Sequence, residues 1–312
     1  MKIPIVLSSD ENYVPYMYVT ILSLLKNKNV DTEYDIYCLV NSSIKKQTKE
    51  KIFKLQEKYQ TDIKFIDMGE FFSDNVVQIS HITIPTYYRL KMPELLQNYE
   101  KAIYLDTDVI VLKDLAEYYN TDISNYYIAG VKGADFIINK EENKNYYENI
   151  GLRSIEHYIN AGVTLWNLEK IRKDNKVIEL YDLAKKNFRV MDQDVINVAF
   201  QDGIKVLELK YNLMTKYFDI TNPDGQKYSQ YVEIYGENSI KEALKDPVII
   251  HYADKIKPWD KSNSWLAKYW WKYAKDAPFP FWFKKNIFSI SQNSKHIYIK
   301  IFGIKVAIRR NK

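Results

Sequence analysis

The residues best suited to chemistry are Asp106 and Asp108, separated only by Thr107 inside the run KAIYLDTDVIVL, Lys101 to Leu112. Side chains two apart on a strand leave from the same face, so this run, read as one strand, aims both carboxylates the same way. Ile103, Leu105, Val109, Val111 and Leu112 mark the flanks as core. Buried, unpaired carboxylates are costly and two of them repel, so the pair calls for a compensating cation. Oxygen ligands suit Mg, Ca or Mn, and two carboxylates leave coordination positions for a second anionic group such as a phosphate. The competing reading is a solvated pair at a strand end, and an isolated Asp-x-Asp does not choose between them.

The elements that would position the pair follow from periodicity. Ile3 to Leu7 reads as a strand, and Val14, Met17, Ile21, Leu22 and Leu25 recur at helical spacing behind Pro15. Tyr34 to Val40 repeats the strand, Ile44, Ile52, Leu55 and Tyr59 the helix, and Asp62 to Ile66 gives a third strand. Such a βαβαβ start predicts an α/β fold with a mostly parallel sheet flanked by helices, binding ligands beyond the carboxyl ends of its strands. The first of those ends, Ser8 to Tyr13, lacks the spaced glycines of a dinucleotide or P-loop motif.

Further along, HITIPTYYRLKMP (81–93) reads as a loop entering a short helix, with Arg89 either solvated or facing a site. Tyr126 to Val131 reads as a strand and Asn139 to Asn149 as a polar, mobile loop. Asn160, Ala161 and Gly162 precede the apolar run Val163 to Leu168, a plain turn or a place where a ligand approaches the backbone. Met191-Asp192-Gln193-Asp194 opens a helix, so one aspartate could serve only as its cap. Pro247 to Ile250 reads as a last strand with His251 at its carboxyl end, a core histidine or a ligand, followed by Lys257-Pro258-Trp259.

The 45 basic and 40 acidic residues are segregated: from Lys255 onward fourteen Lys or Arg face only Asp260 and Asp276. Cys38 stands alone within an apolar strand, consistent with a buried thiol and a reducing cytoplasm. The N-terminal apolar run is too short for a signal peptide core, and no apolar stretch reaches the length of a spanning helix. The expected organisation is a catalytic domain over residues 1–277 and an aromatic, basic C-terminal extension over 278–312. Phe279, Phe281, Trp282 and Phe283 stand there beside Lys284, Lys285, Lys295, Lys300, Lys305, Arg309, Arg310 and Lys312, a composition suited to the surface of an anionic membrane. Aromatics packed back on the domain are the alternative. No nucleic-acid module accompanies the basic tail, so no nucleic-acid partner is expected.

Taken in order, SSDENY, HITIPTYYRL, YLDTDVIVL, NAGVTLWNL, DQDVIN and HYADKIKPW make the sequence resemble glycosyltransferase family 8, over roughly residues 3 to 275. That family includes bacterial lipopolysaccharide galactosyl- and glucosyltransferases and glycogenin. The resemblance implies a GT-A fold, a UDP-glucose or UDP-galactose donor, Mn²⁺ (with Mg²⁺ as the substitute), and transfer with retention to a glycan or glycolipid acceptor. It implies that Asp106, Asp108 and His251 ligate the metal, with Thr107 between them at the donor site. It implies that Ser8, Asp10, Asn12 and Tyr13 hold uridine, and that Lys257 meets the diphosphate. Arg89, Asn160, Ala161, Gly162, Asp192 and Gln193 match positions around the donor sugar, with Asp192 and Gln193 nearest the chemistry. A neutral amide is a poor nucleophile, so Gln193 is expected to stabilise rather than attack. Asp254 departs from the glycine that the family commonly has at this place, putting a carboxylate near the diphosphate. Two other functions compete: a glycoside hydrolase, whose carboxylates would flank the bond without a metal, and a catalytically silent nucleotide-sugar or carbohydrate-binding protein.

Overall fold

A computed structural model describes residues 2–69, 84–215, 225–253 and 255–281, together with the backbone of three strands between residues 288 and 309. The chain opens β1 (Lys2–Ser9), α1 (Val14–Lys26), β2 (Glu33–Val40), α2 (Lys46–Tyr59) and β3 (Asp62–Asp67), the alternation expected from the periodicity. A 3-10 helix (Ile84–Lys91), α3 (Met92–Leu95), β4 (Lys101–Leu105), β5 (Val109–Val111) and α4 (Ala116–Tyr119) follow. Then come β6 (Ile128–Lys132), α5 (Ala134–Ile138), α6 (Lys144–Asn149), β7 (Ile159–Asn167), α7 (Leu168–Lys173), α8 (Lys176–Ala184) and α9 (Met191–Ala199). The last part of the domain holds β8 (Ile204–Val206), β9 (Leu213–Met214), α10 (Gly225–Tyr235), α11 (Glu237–Lys245), β10 (Ile249–His251) and α12 (Ala267–Ala274).

Seven strands form the central sheet in the order β3-β2-β1-β4-β7-β6-β8, all parallel except β7. Both faces are covered, which is why the strands read as nearly continuous apolar runs. Ile3, Ile5, Leu7, Ile103 and Leu105 face a layer containing α1 residues Met17, Ile21 and Leu25. Val6, Leu39, Ala102 and Tyr104 face a second layer with Tyr87, Leu180 and Val195. The reversal at β7 matters for function, because it brings the amino end of β7 to the edge where β1 and β4 finish.

Four sequence expectations change. Lys101 to Leu112 is two strands, not one: β4 stays in the central sheet, whereas β5 joins β9 and β10 in a small second sheet. The carboxylate-bearing turn between them cannot continue into the sheet's apolar layers, and the Thr20 hydroxyl fixes it by donating to the carbonyls of Thr107 and Val109, both at 2.9 Å. Asn139 to Asn149 is largely helical rather than a loop, since α6 buries Tyr147 and ties the Tyr146 hydroxyl to Asp194 at 2.5 Å. Asn160 to Gly162 lies within β7 instead of in a turn ahead of it. Beyond the expected last strand, Phe288–Gln292 (β11), His296–Ile301 (β12) and Ile304–Arg309 (β13) pair as an antiparallel meander.

Candidate active site

Five chain segments meet at the carboxyl edge of the sheet. Asp106 follows β4 directly, and its N–H donates to the Gly162 carbonyl of β7 at 2.7 Å. Asp108 precedes β5, whose Val109 pairs with His251 on β10, so antiparallel pairing delivers the histidine to the aspartates. His251 Nε2 lies 3.2 Å from Asp108 Oδ1 and 3.8 Å from Asp106 Oδ2. One ligand atom from each of Asp106, Asp108 and His251 falls within a 4.8 Å cluster. Two hard oxygens and an imidazole nitrogen form a donor set that Mn²⁺ accepts. Gly162 is part of this cradle: a Cβ there would stand 2.4 Å from both Asp106 Oδ2 and His251 Cε1, so any side chain would push the ligands apart.

Two cations flank the cluster. Lys257 donates to Asp108 Oδ2 at 2.6 Å and to the Tyr252 carbonyl at 2.7 Å. Burial by itself would raise the Asp108 carboxyl, but Lys257 and His251 together hold it well below the usual carboxylate range. The Lys257 ammonium, which burial would lower, is raised by Asp108 in turn. Arg89 is almost fully buried rather than solvated. Its guanidinium lies 4.0 Å above the Tyr104 ring and donates to Asp106 Oδ1 (2.9 Å), the Ala161 carbonyl (2.6 Å) and the Thr86 hydroxyl (3.0 Å). Arg89 thereby links the aspartate turn to α9, where its Nε is 2.8 Å from Asp192 Oδ2. That N–H points instead to the Thr86 carbonyl at 2.9 Å, leaving Asp192 Oδ2 with a charged neighbour but no hydrogen-bond donor. Burial pushes the Asp192 carboxyl up to about 6; Arg89 opposes this and Asp106 adds to it.

At the opposite side of the edge, the loop after β1 carries the residues expected to hold uridine. Asp10 Oδ1 accepts from the backbone N–H groups of Asn12 and Tyr13, at 2.9 and 3.0 Å, so its carboxylate shapes the loop. The Ser8 side chain is buried and paired with the Tyr104 hydroxyl at 2.6 Å. Tyr13 is 40% exposed, leaving much of its ring free for a planar ligand, and its phenol feels the charges of Lys257 and Asp108. Behind it stands an aromatic stack: Tyr16 lies 3.8 Å from Trp259, and Phe281 packs on Tyr16 at 5.8 Å. Phe279 contacts Tyr18 edge-on at 5.6 Å. The first aromatics of the C-terminal extension therefore pack back on α1.

Sequence reasoning missed the polar residues beneath this site. Asn212, fully buried between the two sheets, lies 3.0 Å from His251 Nδ1 and donates to Asn160 Oδ1 at 2.9 Å. Asn197 clamps the start of β7 to α9 through both the N–H and carbonyl of Ile159. Asp194 is enclosed by the hydroxyls of Tyr146 and Tyr158 and by the Val190 N–H. The available signal was an amide or acid embedded in an apolar run, as in LKYNLM, but its partners are distant in sequence. Asp254, His81, Ile82, Thr83 and the tail cations from Lys284 onward lie outside the residues whose side chains are described.

Comparison with known proteins adds to this geometry. The family model described as Glycosyl transferase family 8 matches residues 4–263. Lipopolysaccharide 1,2-glucosyltransferase of Escherichia coli is 26% identical, the match covering 97% of this chain and 88% of that protein. The structure of galactosyltransferase LgtC, in complex with donor and acceptor sugar analogues, aligns with a TM-score of 0.70 at 26% identity, covering 90% of this chain and 99% of that one. The bifunctional glycosyltransferase WbbM aligns with a TM-score of 0.77 at 23% identity, a likeness of fold. The match covers 91% of this chain but only 51% of WbbM, about half its length.

Proposed function

The chain belongs to glycosyltransferase family 8 and has the GT-A fold, and from that premise we propose that it moves glucose or galactose from a UDP-sugar to a glycan or glycolipid acceptor, with retention and with a divalent cation. The observation that carries this reading is the convergence of Asp106, Asp108 and His251 on one point beside Lys257. These three residues would hold Mn²⁺, or Mg²⁺ in its place. Bound there, the cation supplies Lewis-acid stabilisation to a diphosphate leaving group.

The chain's own residues do the remaining work. Tyr13 offers its exposed face to uracil, while Ser8, Asp10 and Asn12 form the loop around the nucleoside. Thr107 keeps the aspartate turn in shape through its carbonyl. Lys257 is the cation available to the diphosphate oxygens. Arg89 holds the Ala161 carbonyl and Asp106 in register, and the buried Asp192 carboxylate beside it holds the guanidinium in place. Gln193 is fixed by Asn160, Ala161 and Tyr158, so it orients and stabilises the reacting sugar together with Asp192. Asp194 is sequestered by two tyrosines, which disfavours it as a covalent nucleophile and supports attack from the face the phosphate leaves.

A hydrolase would place two carboxylates across a glycosidic bond, at least about 5 Å apart; a tight cluster shared with an imidazole favours the metal reading. The likeness to a lipopolysaccharide glucosyltransferase supports a lipopolysaccharide saccharide as acceptor. We place catalysis in residues 1–277 and surface association in 278–312, on the cytoplasmic side of an anionic membrane. No helix among the described residues is long and apolar enough to cross one. Because Phe279 and Phe281 pack on α1, the membrane-facing part would begin after them.

The function is tested by measuring UDP release from a panel of nucleotide sugars with Mn²⁺ and with EDTA. Release from UDP-glucose or UDP-galactose in Mn²⁺ alone supports it; nucleotide binding without turnover, with or without acceptor, would favour the silent binding protein. Anomeric proton NMR of the product reads retention, and salt-sensitive cosedimentation with anionic liposomes reads the membrane contact.

A further inference from the structure

Beneath the metal cluster runs a chain of amides whose direction can be deduced from its backbone partners. Gln193 Oε1 accepts from the Ala161 N–H at 3.1 Å, and Asn160 Oδ1 accepts from the Gly162 N–H at 3.0 Å. A backbone N–H can only donate, so each contact identifies the oxygen end of its side-chain amide. Asn160 Nδ2 is thereby free to donate to Gln193 Oε1 at 3.1 Å. Gln193 Nε2 donates to the Tyr158 hydroxyl at 3.2 Å, whose own proton goes to the Asp194 carboxylate at 2.6 Å. Every link has one donor and one acceptor.

The same logic runs toward the metal. The Asn160 oxygen faces Asn212 at 2.9 Å, so Asn212 must present its NH₂ group there. Its oxygen is then the atom 3.0 Å from His251 Nδ1, and an oxygen requires that Nδ1 carry the proton. A histidine protonated at Nδ1 keeps its Nε2 lone pair for a cation, and Nε2 is the atom facing Asp106 and Asp108.

We propose that Asn212 is a positioning residue: anchored by Asn160, it accepts from His251 Nδ1–H and so fixes the tautomer and ring orientation in which His251 can ligate the metal. This rests on the metal-dependent reading above. It also means that two successive N–H groups of β7, those of Ala161 and Gly162, set the polarity of the network from Gln193 to the metal histidine. Asn212 is fully buried and His251 is 2% exposed, so no bulk water is at hand to replace the amide oxygen.

The experiment is a double-mutant cycle read by calorimetric Mn²⁺ affinity at saturating UDP, using the full chain. Asn212→Ala is expected to weaken Mn²⁺ about 10- to 100-fold, but to change it by no more than about threefold in a His251→Ala background. Equal losses in both backgrounds would overturn the proposal, because a general packing defect does not depend on the imidazole. Long-range ¹H–¹⁵N NMR of the unaltered protein gives a second readout that needs neither metal nor a stable variant. The chain has four histidines, and His251→Gln assigns the signal. A proton on Nδ1, whatever the state of Nε2, is the expected result; a bare Nδ1 would overturn the proposal. Should the unaltered protein bind no Mn²⁺ with UDP, the metal reading falls, while the NMR measurement still decides what Asn212 does.

Discussion

The two ends of the site are built in opposite ways. At the metal end, three ionisable ligands from different segments converge, each aspartate paired with one cation, Asp106 with Arg89 and Asp108 with Lys257, and Asp106 remains 30% exposed along its side chain. At the α9 end, Gln193 and Asn197 are buried in a nearly complete set of neutral hydrogen bonds. The first region can receive a cation and an anion; the second holds its geometry before either arrives. A cluster of partly exposed ion pairs marks where a cation and an anion can enter by exchanging partners, whereas a satisfied amide network marks what must stay fixed while they do.

The largest expected effect breaks the first region. Asp106→Asn or Asp108→Asn should lower turnover by at least about 10²-fold, because the electrostatic stabilisation of the leaving group is lost. Circular dichroism should remain unchanged, since neither side chain belongs to the apolar layers. Near-normal kcat at saturating Mn²⁺ would contradict the assignment.

Gly162→Ala attacks the junction of the two regions. The added Cβ would meet Asp106 Oδ2 and His251 Cε1 at 2.4 Å, and relieving that overlap costs about 1–3 kcal/mol. The expected outcome is a lower melting temperature and a Mn²⁺ affinity reduced about tenfold or more. An unaltered Mn²⁺ titration would mean that the ligand atoms do not converge over this glycine.

Asp192 sharpens the comparison, as the one strongly perturbed carboxyl at the α9 end. Its pKa of about 6 exceeds the ordinary carboxylate value, so the folded state keeps this proton to higher pH than the unfolded chain. Stability should therefore decline as pH rises from about 4 to about 6, by up to about 3 kcal/mol, and stay level above that. Activity should rise through the same window, because the ionised carboxylate is the form that holds Arg89 against Asp106. Asp192→Asn should remove both limbs, which melting curves and kcat/KM profiles across this range would check.

The smallest effect lies outside both ends. Phe281→Ala removes a ring stacked on Tyr16 behind Tyr13, and should cost about 1–3 kcal/mol of stability. UDP affinity should change by less than the metal variants change it. A loss larger than that of Asp108→Asn would make the C-terminal segment part of the nucleotide site itself.

Much of this was legible in the sequence. Strand and helix periodicity located the βαβαβ start, and six ordered segments singled out residues that the structure gathers at one edge of the sheet. What escaped depended on distant pairing. Nothing local in KAIYLDTDVIVL tells that Val109 will leave the central sheet to pair with His251. Asn160 to Gly162 look like a turn until β7 is known to run against its neighbours, which brings its first residues to the site. The polar stretch around Lys144 hid Tyr147, whose burial makes it a helix. Asn212 gave only the sign of an amide inside the apolar run LKYNLM, and an amide reveals its role only once its donors and acceptors are known.

The central claim is that Asp106, Asp108 and His251 hold a cation together with a diphosphate. Calorimetric titration of UDP into the full chain, with Mn²⁺ and then with EDTA, tests it most directly. The account predicts tight binding in Mn²⁺, a loss of about tenfold or more in EDTA, and a similar loss in Mn²⁺ for Asp108→Asn. Equal UDP affinity under all three conditions would contradict it.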